Sequence, residues 1–117
     1  MTPADIVRVA EELGWDVQWG SNGDGEEYVE FYQGSPAGED FGFTIWYGDV
    51  SDIPALVGNY YWNEYDADEH VESLIEAKHN GLSGVPRVSV LVDDAEAIDR
   101  MLQDLSNALK RLDREGR

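Results

Sequence analysis

An apolar stripe near the C-terminus most limits what this chain can fold into. Leu91, Ala95, Ile98, Leu102, Leu105, Leu109 and Leu112 recur at spacings of three and four, which places them on one side of an α-helix. A helix with such a side is stable only if another apolar layer covers it. The first half of the chain supplies that layer, because its apolar period there is two. Trp15, Val17 and Trp19 alternate with polar residues, Val29 and Phe31 share one side of the segment 28–32, and Phe41, Phe43, Ile45 and Tyr47 alternate in the same way. Period two marks half-buried strands. Their connections are short and rich in turn residues, Gly20 to Gly25 and Gly34 to Asp40, so the three strands are expected to form an antiparallel meander.

Helices are expected on both sides of the meander. Thr2 is placed as an N-cap, Pro3 as a first helical residue and Gly14 as a stop, around Ile6, Val7, Val9, Ala10 and Leu13. Asp52 is placed as the cap and Pro54 as the opening of a second helix, with Ile53, Leu56, Val57, Tyr60 and Tyr61 inward. A boundary near Asp66 leads to a third helix, with Val71, Leu74 and Ile75 inward and Asn80-Gly81 as its end. Residues 87–92 read either as the start of the last helix or as a short fourth strand. The expectation is one α+β domain over 1–117: a small antiparallel sheet of about three strands, an N-terminal helix and three C-terminal helices, in the order α-β-β-β-α-α-α. At 117 residues and 42% apolar composition the chain can bury a modest core.

Charge is the second constraint. The formal net charge is −17, and between Arg8 and Lys78 there is no Lys or Arg, while that stretch holds 17 Asp and Glu. Five of the eight basic residues lie after position 99, which leaves the last helix roughly balanced. Like charge repels itself in the compact state, so leaving it unbalanced costs stability. Such a field repels nucleic acid and anionic membranes and steers basic partners inward. Direct nucleic-acid or membrane binding is therefore not expected.

Motifs for chemistry are lacking. The chain has no cysteine, which rules out disulfides and thiolate metal sites. Read as a calcium loop from Asp66, the glycine position holds Val71 and the closing acid position holds Ala77. His70 and His79 are nine apart, unsuited to a helical ligand pair. Gly20 to Gly25 lacks the lysine of a phosphate loop, and no serine sits in a nucleophile-elbow context. Paired carboxylates mean little among 25 acids. We expect no enzyme, no metal and no cofactor. With neither a leader-like N-terminus nor an apolar run of spanning length, a cytoplasmic protein is expected.

Candidate partner-binding residues come from the acids and the aromatics outside the apolar stripes. Asp68, Glu72 and Glu76 recur every four residues beside Glu69. Such a row is either an ordinary solvated face or a built surface, since like charges at i,i+4 disfavour a helix. One helix presents carboxylates about 6 Å apart per four residues, too sparse to copy phosphates about 3.4 Å apart along a DNA strand. Imitation of nucleic acid needs acids from several elements: Asp24, Glu26 and Glu27; Glu39 and Asp40; Asp49 and Asp52; Glu64, Asp66 and Asp68. Trp62 and Tyr65 fall outside the inward stripe of their helix, and Tyr28 and Tyr32 lie opposite Val29 and Phe31. Trp15, Trp19 and Trp46 are assigned to the core or to the second sheet face. The contact set expected for a partner is Asp49, Asp52, Trp62, Glu64, Tyr65, Asp66, Asp68, Glu69, Glu72 and Glu76.

The run Tyr65-Asp66-x-Asp68-Glu69-His70-Val71-Glu72, followed by Ile75-Glu76-Ala77-Lys78, Gly84-Val85-Pro86 and Asp93-Asp94-Ala95-Glu96-Ala97-Ile98, resembles small acidic proteins of unassigned function from phages and conjugative elements of gut bacteria. The resemblance implies a mobile-element accessory protein of the anti-CRISPR or anti-restriction type. The expected function is a non-catalytic, DNA-mimic-like inhibitor that occupies the basic nucleic-acid surface of a host defence complex, a Cas or restriction subunit. The alternatives are an immunity protein against a basic toxin, and a structural acidic domain that forms a homodimer through its last helix.

Overall fold

The computed structural model describes residues 1–35, 40–66, 69 and 88–115. Their order is α1 (Pro3–Glu12), β1 (Asp16–Ser21), β2 (Glu27–Gly34), β3 (Asp40–Tyr47), a single 3-10 turn (Val50–Asp52), α2 (Ile53–Asn63) and α3 (Val88–Glu115). The fold is α+β, with a three-stranded antiparallel sheet in the order β1-β2-β3 and helices before and after it. The helix expected between Asp66 and Asn80 falls, apart from Asp66 and Glu69, outside the described residues. From Val88 onward the chain is helical, which decides the alternative left open for residues 88–92 in favour of helix.

Local chemistry sets the helix ends. Thr2 is extended, its hydroxyl accepts from the Asp5 backbone N–H, and the Asp5 carboxylate accepts in return from the Thr2 N–H at 2.9 Å. This reciprocal box satisfies two donors that the first turn leaves orphaned. The bonds from Thr2 hold the Asp5 carboxyl below the usual range. Gly14, at φ 92°, takes the left-handed turn that ends α1. The expected cap of α2 is corrected. Asp52 is itself in a helical conformation and makes no side-chain cap bond. Asp49 is extended three residues earlier, and its Oδ1 accepts from the backbone N–H and the hydroxyl of Ser51, both at 2.9 Å. In α3 the helix starts several residues before Asp93, so Asp93, Asp94 and Glu96 lie beyond the first turn, where the dipole acts most strongly. Arg114 sits in the last turn, where a cation complements the dipole.

All the layers share one core. The inward side of the sheet carries Val29 and Phe31 from β2 and Phe41, Phe43 and Ile45 from β3. Trp15 meets Phe31, Phe41 and Phe43 edge-on, and Phe43 stacks between Phe31 and Tyr60. From the helices come Ile6 and Ala10, Ile53 and Val57, and the α3 stripe Ile98, Leu102, Leu105 and Leu109, all 0% exposed. Burying each of those large aliphatic side chains is worth about 1.5–3 kcal/mol, so the stripe is the principal seam of the fold. Gln33, on the inward side near the end of β2, donates from Nε2 to the Leu13 carbonyl at 3.1 Å and ties the sheet to the end of α1.

Candidate functional site

The expected contact residues divide between the two ends of α2. Asp49 and Asp52 lie at its start; Glu64, Asp66 and Glu69 follow its end, and all five are exposed. Eleven residues of helix separate the two groups, roughly 16 Å. Trp62 projects from the outward side of α2 at 72% exposure, with its ring edge-on to Tyr61 at 5.1 Å. Asp68, Glu72 and Glu76 lie outside the described residues.

Tyr65 is corrected: it is not an exposed anchor. α2 ends at Asn63, so the helical spacing used to place Tyr65 outside no longer applies there. The backbone N–H of Tyr65 bonds the Tyr60 carbonyl, and its ring turns inward edge-on to Phe41. Its hydroxyl donates to the Ala95 carbonyl at 3.0 Å. Burial, then the carboxylate of Asp99, pushes its phenol far above the ordinary tyrosine range. Tyr61 is placed as expected, packed against the core, and donates to Asp99 at 3.2 Å.

The outward face of the sheet is the more organised surface, and its cross-strand register can be followed row by row. The first row is Gly20, Tyr28 and Trp46. The second is Gln18, Glu30 and Thr44. The third is Asp16, Tyr32 and Gly42, and the last pairs Gly34 with Asp40. Tyr28 leans over Gly20, where an added Cβ would sit 2.3 Å from the ring, and its other side meets Trp46 at 5.0 Å. Tyr32 leans over Gly42, where an added Cβ would sit 2.4 Å from the ring, and its hydroxyl donates to Glu30. The two glycines therefore make room for tyrosine rings to lie against the sheet. Trp46 is 50% and Tyr32 39% exposed. A depression of about 480 Å³ beside Tyr32 is bordered by Asp16, Gln18 and Asp40.

Asp16, Asp40, Gly20, Gly42 and Trp46 stand outside the expected contact set. One signal for them is present in the sequence: Trp46 is out of phase with Phe41, Phe43 and Ile45, which fixes it on the other face. The opposition of each tyrosine to a glycine depends on strand register, which no single strand contains.

Electrostatically the sheet and α2 are uniform. Residues 9–66 contain no Lys or Arg, and their twelve described carboxylates all reach solvent. Arg8 pairs with Asp5 at 3.8 Å. By contrast, α3 carries four Lys and Arg against seven acids. Among the described residues no group of three or more His, Cys, Asp or Glu side chains is placed to hold a metal ion, and no helix is long and apolar enough to cross a membrane. Comparison with protein-family models, curated proteins and solved structures gave no match.

Proposed function

We propose that the protein is a non-catalytic binder of a basic protein surface, and that it acts by competing with the nucleic acid which that surface normally holds. The observation that carries this reading is that the twelve described carboxylates of residues 9–66 all reach solvent and that the segment contains no Lys or Arg. A few interspersed lysines would lower the repulsion at little cost, since surface ion pairs are nearly neutral energetically. Keeping the field uniform makes sense if it steers a cationic partner. The acids come from several elements, as imitation of a phosphate backbone needs. The narrower form of the proposal, inhibition of a CRISPR–Cas or restriction complex, draws on the resemblance of the motifs between Tyr65 and Ile98 to mobile-element proteins.

The test is affinity capture from cells that carry the gene, with elution in salt steps and mass spectrometry. A nucleic-acid-binding subunit released by moderate salt, and displaced by added duplex, is the expected result. A single small toxin would move the assignment to an immunity protein. Capture of nothing would leave the acidic surface without a partner and overturn the proposal. Joint charge reversal of Asp68, Glu72 and Glu76 should weaken capture if that row belongs to the contact surface.

A further inference from the structure

We propose that the outward face of the sheet is a docking surface for arginine side chains of that basic partner. The inference rests on the reading above that the partner is a basic protein, and it adds where that partner is gripped and by which cation. The face combines two features that a solvated sheet surface does not need together. The first is aromatic area: Tyr28 and Tyr32 lie over Gly20 and Gly42, and Trp46 on β3 stands beside Tyr28 at 5.0 Å with its ring tilted 55° to it. The second is charge of one sign: Asp16, Glu30 and Asp40 are interleaved with those rings, and no strand contains a Lys or Arg.

Flat rings on an open sheet can also stack nucleobases. Those platforms depend on cations to hold the phosphates, and this one offers carboxylates instead. A second copy of the chain would bring the same charge to the same face and be repelled. A planar cation satisfies both features at once. A guanidinium stacks on tyrosine and tryptophan faces and presents a fork of N–H donors in its plane to carboxylates. The depression beside Tyr32 has that composition. Tyr32 lines it, and Asp16 and Asp40 stand on opposite outer strands, with backbones roughly 12 Å apart by ordinary strand spacings. The Tyr28–Trp46 pair would take a second arginine or the stem of the first. A lysine ammonium would meet the same carboxylates, but it has no plane to lay on the rings.

The experiment is a titration of the full ¹⁵N-labelled chain with a capped hexa-arginine peptide and, separately, with capped hexalysine, followed by backbone and indole N–H resonances. Trp46 is assigned from Trp46→Phe. The expected result is that hexa-arginine shifts the Trp46 indole and the amides of β1–β3 more than those of α2 and α3, and binds more tightly than hexalysine. Tyr28→Ala and Trp46→Ala should each weaken hexa-arginine binding about two- to fivefold. Tyr28→Phe, which keeps the ring, should not. Asp16→Asn with Asp40→Asn should reduce binding of both peptides. Unchanged circular dichroism and a cooperative urea transition, with the midpoint lowered only as far as the lost aromatic pair accounts for, would show that the variants remain folded. Equal binding of the two peptides, or shifts centred on residues 49–66 or on α3, would overturn the inference. Because the probe is a defined peptide, such a failure is separate from the proposed function, which stands or falls on the captured partner.

Discussion

The two faces of one sheet are built from alternate residues of the same three strands, yet they are chemically opposed. Inward, Val29, Phe31, Phe41, Phe43 and Ile45 are buried against Trp15 and the helices. Outward, tyrosines lie over glycines between carboxylates, and a tryptophan is half exposed. An ordinary solvated face would carry threonine, lysine and glutamate in mixed signs. The contrast teaches that alternation lets one strand serve a buried core on one side and an open aromatic and acidic surface on the other. Substitutions on the two faces should therefore move different observables.

The largest effect is expected inward. Phe43→Ala removes a ring stacked between Phe31 and Tyr60 and should cost about 3–5 kcal/mol in urea unfolding. Three residues later on the same strand, Trp46→Ala should cost only about 1 kcal/mol, the scale of its aromatic pair with Tyr28. Equal losses would break the comparison.

Alkali should act through the inward tyrosines. Burial raises the phenols of Tyr60 and Tyr65 above their unfolded value near 10. The folded state thus prefers them protonated, and their contribution is fully present below pH 10 and lost as pH rises beyond it. Urea midpoints should fall between pH 10 and 11.5, and Tyr65→Phe should flatten that fall.

Smaller effects sharpen the outward side. Gly42→Val puts a side chain where the Tyr32 ring lies and should displace the ring, at about 1 kcal/mol in stability, with a loss of hexa-arginine affinity in the same variant. Glu64 caps the C-terminal end of α2, where no basic residue opposes the helix dipole. Glu64→Lys should raise stability by a few tenths of a kcal/mol, an increment that 0.5 M NaCl should abolish.

Much of this was legible in the sequence. Period two gave all three strands their inward residues, and spacings of three and four placed Ile98, Leu102, Leu105 and Leu109 on the buried side of α3. What escaped depended on relations between elements. Asp52 looks like a cap beside Pro54, but the intervening 3-10 turn moves the cap to Asp49. Tyr65 follows the helix end, so tertiary contacts with Phe41 and Ala95 decide its direction. The aromatic face was half visible in Tyr28 and Tyr32, but its pairing with Gly20 and Gly42 is a property of register.

The most direct measurement uses two baits in parallel, the wild-type chain and a folded Tyr28→Ala/Trp46→Ala double variant, in capture from the same lysate at 150 mM salt. The account predicts that a basic nucleic-acid-binding protein is retained by the wild type and largely lost from the variant. Equal retention by both baits would contradict it.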